Sequence, residues 1–282
     1  MLSTKEIENA ITWACIQEVS APKPGNVNCF SDGHDMSIQQ FIDSAHAIAL
    51  GLSQPDQSIG EMILNAVKAT RTVVDCNTNL GIILLFAPLC KAIHSCQYFE
   101  QLPTALSRTL NSLSNEDTKL AYQAIQIAQP GGLGKNKEQD IHSTPTVGLK
   151  QAMQLAEDYD SIAAQYSNNY HDIFEVGLSN LTLSINCGES IEWATAFAYL
   201  KLLSAMPDSL IYRKQGLACA TTVMTRSKKI IEKMAKNQNL SEFETDITLW
   251  DTELKQNAIN PGTTADMAAA SLLIYAFSQA LS

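Results

Sequence analysis

Apolar residues recur at helical spacing along nearly all of this 282-residue chain, which predicts an all-α fold. Two further observations point the same way. Few stretches alternate apolar and polar residues with a period of two, and the breaks between stripes carry cap and turn residues rather than linker composition. The expectation is a single compact multi-helix domain over 1–282, with ten or more helices. Ile7, Ile11, Ala14, Cys15 and Val19 share one face, making residues 4–19 an amphipathic helix. Phe41, Ala45, Ile48 and Leu52 form the next stripe, and Met62, Ala66, Ala69 and Val73 another. Leu80 to Cys90 reads as a strongly apolar helix. It contains Pro88, is followed by Lys91, and falls well short of the roughly 18 residues a membrane span needs. Leu120, Ala124, Ile127 and Ala128 come next, behind Ser114-Asn-Glu-Asp, whose Ser and Asn are N-cap types and whose acids suit a helix N-terminus. Segments from about 147, 190, 212, 240 and 263 onward repeat the pattern. Leu181 to Ile185 is the best candidate for alternation, and its surroundings fit a helix equally well.

Composition narrows the function. Nineteen basic residues stand against 29 acidic ones, a formal charge of −10, which argues against broad nucleic-acid binding because phosphate neutralisation needs Lys and Arg. Thirteen glycines and nine prolines are too few for a disordered or collagenous chain. The first residues, Met-Leu-Ser-Thr-Lys-Glu-Ile-Glu, show no basic stretch followed by an apolar one, so the expected setting is soluble and cytoplasmic, with no membrane partner. The seven cysteines are scattered and contain no Cys-x-x-Cys pair, which reads as reduced thiols, most of them buried. A homo-oligomer is compatible with all of this.

Chemistry concentrates in five short motifs. In the first, Pro22 and Pro24 bracket Lys23 and stiffen the backbone that presents its ammonium, as a phosphate-positioning lysine requires. Gly25 and Asn26 follow, and Asp32, His34 and Asp35 gather metal-ligand types within four residues. The same segment also suits a surface loop with an Asp-Gly turn and a helix-capping Asp. The second motif, Asn77-Thr-Asn-Leu-Gly81, precedes the apolar helix. Asn77, Thr78 and Asn79 suit either an anion or ribose site at a helix N-terminus or plain capping. The third, Pro130-Gly-Gly-Leu-Gly134, could wrap backbone amides around a phosphate through Gly132, or simply stop a helix. The fourth places Arg213 and Lys214 after a Pro-Asp turn, at the head of a segment to Lys236 with seven basic residues and one acid. Lys229, Lys233 and Lys236 share a face there and read as a solvated stripe. The fifth, Asn260-Pro-Gly-Thr-Thr-Ala-Asp266, opens the last helix. Thr263 or Thr264 can cap it, while Asp266 either coordinates Mg²⁺ or answers the helix dipole.

Taken in order, Pro-Lys-Pro-Gly-Asn-Val, His-Asp-Met, Asn-Thr-Asn-Leu-Gly, Gly-Gly-Leu-Gly, Pro-Asp-Ser-Leu-Ile-Tyr-Arg-Lys and Asn-Pro-Gly-Thr-Thr-Ala-Asp resemble the triphosphoribosyl-dephospho-coenzyme A synthase family from about residue 8 onward. The resemblance implies an all-α transferase using ATP as substrate with Mg²⁺. A ribose hydroxyl of dephospho-CoA attacks the ATP ribose, and adenine leaves. Members serving citrate lyase or malonate decarboxylase carry Asn-Thr-His-Lys-Gly at the second motif, whereas Asn79 and Leu80 stand here. The form with Asn and Leu resembles a stand-alone branch found in archaea and in bacteria with tetrahydromethanopterin-type metabolism. Two other functions therefore stay open: a kinase or phosphoryl transferase acting on a one-carbon cofactor precursor, and an inactive nucleotide-binding homologue. The chemistry needs cations on the triphosphate, hydrogen bonds to base and ribose, and a general base for the hydroxyl. The expected nucleotide contacts are Lys23, Gly25, Asn26, Asn77, Thr78, Asn79, Gly132, Arg213, Lys214, Thr263 and Thr264. Asp35, Asp266 and His34 are the catalytic candidates, and Asp32, Asp35 and Asp266 the metal ligands.

Overall fold

Ser3, Ser37, Ser58 and Ser114 each begin a helix in the same way. The hydroxyl accepts the backbone N–H three residues on, and Glu6, Gln40, Glu61 or Asp117 at that position reaches back to the serine N–H. The computed structural model describes residues 1–33, 36–76, 78–131, 139–234 and 239–281. Among these it has fourteen α-helices and no strand: α1 (Thr4–Ser20), α2 (Ile38–Leu52), α3 (Ile59–Val73), α4 (Leu80–Ile93), α5 (Leu102–Asn111), α6 (Asn115–Ala128), α7 (Leu149–Gln154), α8 (Ser161–Asn168), α9 (Ser179–Asn186), α10 (Ile191–Ala205), α11 (Ser209–Gln215), α12 (Leu217–Met234), α13 (Glu244–Gln256) and α14 (Gly262–Ala280). The all-α expectation holds. Leu181 to Ile185 lies inside α9, so helical periodicity outweighs the local alternation there.

Helices α4 and α14 form the centre, each buried on nearly every side. α14 packs against α1, α4 and α10. Helices α2 and α3 pack on each other, α1 covers α2, and α6 covers α3. One apolar cluster runs from Leu2 through α4 to Phe277. None of the described helices is long and apolar enough to cross a membrane. All seven cysteines are free thiols, but only Cys15, Cys90 and Cys96 are buried, fewer than the composition suggested.

Pro88 sits inside α4 and has no N–H to give the carbonyl of Leu84. Two buried tyrosines supply what is missing: Tyr166 Oη donates to Leu84 O at 2.6 Å and Tyr170 Oη to Leu85 O at 3.0 Å. Burial pushes both phenols up, so they remain donors. The central helix thereby keeps its line through the proline, and its N-terminus stays where the cavity described next requires it.

Candidate active site

A cavity of about 320 Å³ opens between the helix ends. Its polar lining comes from the end of α1 (Glu18), the following loop (Asn26), the start of α4 (Thr78, Asn79), the residue before α8 (Asp160), α11 (Arg213, Lys214) and the start of α14 (Asn260, Thr263, Asp266). Its apolar lining comes from α4, α6, α7, α8 and their connections, including Leu84, Tyr122, Ile125, Leu149, Met153 and Ile162. A mostly apolar pocket with a few convergent polar groups is the usual form of a small-molecule site.

The stiff loop after α1 does not present its lysine to this cavity. Lys23 is fully buried, and its ammonium is spent on Glu18 Oε1 at 2.8 Å, Glu18 O at 2.6 Å and Val27 O at 2.8 Å. An ammonium has three N–H donors, so none is left for a phosphate. Lys23 acts on the cavity through Glu18 instead. Burial pushes the Glu18 carboxyl up and the Lys23 ammonium down, each partly offset by the other's charge. The loop's remaining contacts are to distant helices. Gly25, at φ +83, donates its N–H to Asp251 Oδ1 at 2.8 Å and leaves no room for a Cβ against Leu254, Pro261 and the Ile259 carbonyl. It supports the wall rather than lining it. Tyr199 Oη holds the Pro24 carbonyl at 2.8 Å. Asn26 does line the cavity, and its side-chain amide donates to Asn260 Oδ1 at 2.9 Å.

At the start of α4 the capping alternative fails. Asn79 occupies the N-cap position without a side-chain cap bond. Thr78 shares a hydrogen bond with Ser44 Oγ at 2.7 Å, and Asn79 Oδ1 pairs with Thr70 Oγ1 at 3.1 Å. Asn79 Nδ2 is buried with no partner among the described residues. Gly81 is needed for close approach: a Cβ there would lie 2.0 Å from Asp266 Oδ2 and 2.6 Å from Ile162 Cδ1.

Two acids fix the opposite wall. Asp208 Oδ1 caps α11 through the N–H groups of Leu210 (2.9 Å) and Ile211 (3.0 Å), while its Oδ2 accepts the Thr264 N–H (2.8 Å) and hydroxyl (2.7 Å). Ser209 Oγ adds a bond to Thr263 Oγ1 at 3.0 Å, so α11 and the start of α14 are clipped together. Arg213 projects from α11 and pairs through Nη1 with Asp160 Oδ2. Lys214 is exposed, its stem against Gly131. Asp266 is part-exposed onto the cavity. Burial, then the charges of Glu18 and Asp208, push its carboxyl well above the usual carboxylate range, with Arg213 pulling the other way. A carboxyl shifted this way keeps its proton more readily than an ordinary one, a property that general acid–base chemistry draws on.

Of the sequence candidates, Asn26, Thr78, Asn79, Arg213, Lys214, Thr263 and Asp266 line one cavity. Lys23, Gly25 and Thr264 stand behind it, the last committed to Asp208. Asp32 is not among the residues lining the cavity: it is exposed, and its Oδ1 accepts the Ile38 N–H at the start of α2, the capping role the loop also allows. His34, Asp35, Asn77 and Gly132 lie outside the described residues. Among the described residues no three His, Cys, Asp or Glu side chains gather as a ready-made metal cage. A Mg²⁺ ion carried by a nucleotide needs less, one or two carboxylates with the phosphates and water supplying the rest, and Glu18 and Asp266 are of that chemistry. Nothing in the sequence pattern marks Glu18 or Asp160 as a lining residue. Glu18 hides on the buried face of α1, and Asp160 ends the string Glu157-Asp-Tyr-Asp160, which reads as a surface turn.

A sequence model of the CitG family, described as ATP:dephospho-CoA triphosphoribosyl transferase, matches residues 4–282. A solved structure from Archaeoglobus fulgidus, described as a triphosphoribosyl-dephospho-CoA synthase, superposes with a TM-score of 0.65 at 22% identity, covering 83% of this chain and 97% of that one. At that identity the likeness speaks to the fold. No curated protein matches the chain.

Proposed function

The chain belongs to the CitG family, the ATP:dephospho-CoA triphosphoribosyl transferases, and from that premise we propose that it transfers the triphosphoribosyl group of ATP to a ribose hydroxyl of dephospho-CoA and releases adenine. The observation that carries this reading is a pair of buried donors without partners among the described residues, Arg213 Nε and Asn79 Nδ2, on residues lining the same cavity as Asp266. Buried donors are ordinarily paired, so unpaired ones on residues that line a cavity suit a polar ligand.

In the reaction the bond from the ribose anomeric carbon to adenine breaks, a bond from that carbon to the acceptor oxygen forms, and one proton passes overall from the acceptor hydroxyl to adenine. Asp266 is suited to hold that proton, since it lines the cavity and burial, then the charges of Glu18 and Asp208, favour its protonated form. Arg213 and Lys214 offset the triphosphate charge, and Asn26, Thr78, Asn79 and Thr263 offer hydrogen bonds to ribose and base. Bound Mg²⁺ would add positive charge on the phosphates, with Glu18 and Asp266 the carboxylates available to hold it. The apolar walls from α6, α7 and α8 exclude water from a carbon centre that would otherwise hydrolyse. Both substrates are intracellular nucleotides, and we place the reaction in the cytoplasm.

The test is chromatographic. Purified protein, ATP, Mg²⁺ and dephospho-CoA should give adenine and a triphosphoribosylated acceptor in equal amounts. ADP in place of adenine would assign a phosphoryl transfer instead, and ATP binding without turnover across acceptors an inactive homologue.

A further inference from the structure

We propose that Asp160 is a positioning residue that presents Arg213 to the phosphates of the bound nucleotide. The inference rests on the reading of the cavity as an ATP site. Asp160 divides its two oxygens. Oδ1 accepts the N–H groups of Ile162 (2.9 Å) and Ala163 (3.2 Å), which ties it rigidly to the start of α8. Oδ2 takes one N–H of Arg213 Nη1. A guanidinium has five N–H donors in a planar fork, so a carboxylate on one nitrogen fixes the plane while other donors remain available. One of those is identified by the structure: Arg213 Nε is buried and has no partner among the described residues. The arginine's own base is equally fixed, because Asp208 clips α11 to the start of α14. Arg213 is thus held at both ends, on α11 and on α8, with an N–H left over, and both it and Asp160 line the cavity.

The alternative is that Asp160 merely neutralises Arg213, and the two accounts predict opposite signs. Removing an acid beside a phosphate site tightens anion binding if charge alone matters. It weakens binding if the acid orients the arginine. Asp160→Ser separates them, since serine still caps α8 but is too short to hold Arg213. We expect roughly tenfold weaker ATP binding by calorimetry, a matching rise in KM for ATP, and an unchanged affinity for adenosine, which has no phosphates. The thermal midpoint should stay close to that of the wild type. In an Arg213→Ala background the same substitution should have no further effect on ATP. Tighter ATP binding by Asp160→Ser, or an equal loss in both backgrounds, overturns the proposal. A wild-type protein that binds no ATP overturns the nucleotide reading itself, and the proposal with it.

Discussion

Gly81→Ala is a small change aimed at a place where α4 closely approaches the Asp266 carboxyl, the group proposed to hold the transferred proton. Gly81 is the second residue of α4 and does not need a positive φ, so the backbone accepts alanine and gains up to about 1 kcal/mol in helix propensity. The added Cβ would lie 2.0 Å from Asp266 Oδ2 and 2.5 Å from its Cγ. Ordinary contact begins near 3.4 Å, so the carboxylate must retreat by about 1.4 Å. Asp266 has cavity beside it to retreat into, which keeps the overpacking cost near the low end of about 1–3 kcal/mol. Ile162 Cδ1, at 2.6 Å, has to move as well. The two contributions to stability nearly cancel, leaving a midpoint within a few degrees of wild type, since about 1 kcal/mol moves a domain of this size by roughly 2–4 °C. Catalysis has no such compensation. Displacing a reacting group by about 1 Å can cost on the order of a hundredfold. The assay is adenine release under kcat/KM conditions beside a calorimetric melt. A variant within about threefold of wild-type turnover would refute the claim that the position of Asp266 matters. A midpoint lower by more than about 10 °C would show that the overlap is relieved by unpacking the helices rather than by moving the carboxylate.

Three further outcomes follow from the packing. Lys23→Met strands the buried Glu18 carboxylate and should cost about 3–5 kcal/mol in urea melts at pH 7.5. Glu18 already has a raised pKa, so the deficit should shrink as pH falls toward ordinary carboxylate values; a rise in KM for ATP with unaltered stability would instead restore Lys23 as a phosphate contact. Tyr166→Phe leaves the Leu84 carbonyl unpaired and should cost about 1–3 kcal/mol, a penalty that Pro88→Ala should reduce by returning the backbone N–H; additive effects would contradict this account of how α4 accommodates Pro88. For Asp117, burial would raise the carboxyl, but hydrogen bonds from Ser114, the Gly60 N–H and Ser58 outweigh it and leave the pKa lowered. Its contribution is present above the unfolded value near 4 and lost as pH falls through the lower folded one. Asp117→Asn should therefore be less stable at neutral pH and show a flatter acid limb, and an acid limb identical to wild type would count against it.

The helices were legible because burying one face imposes a 3.6-residue period, and Ser114 with Asp117 could be read directly as a cap. Site residues on helix ends were legible for a related reason: Asn26, Asn79, Arg213 and Asp266 sit in Gly, Pro or Asn punctuation that a long helix does not need. The direction of Lys23 is not legible, because proline stiffness says nothing about where a side chain points, and its partner, Glu18, lies five residues back around the end of α1. Asp160 could not be recognised from a pattern, since its role is shared between capping α8 and holding an arginine 53 residues away. Thr70 sits in the last turn of α3, where nothing in the sequence marks it, and packing brings it to Asn79.

The loop after α1 has a further consequence, for the order in which the molecule is made. Gly25, Asn28 and Ser31 bond Asp251, Lys255 bonds Ser31, and Asn26 bonds Asn260, each across 220 residues or more. At about 5–20 residues per second of synthesis, this loop leaves the ribosome roughly 10–45 s before the side chains that hold it. During that interval α1 and α2 can pair, but the segment between them has local bonds alone to shape it, such as those of Lys23 to Glu18, Asn28 to Ser31 and Asp32 to Ile38. The cavity wall is thus among the first parts translated and the last completed, so a nascent chain lacking α13 carries every motif of the first loop and still has no assembled site.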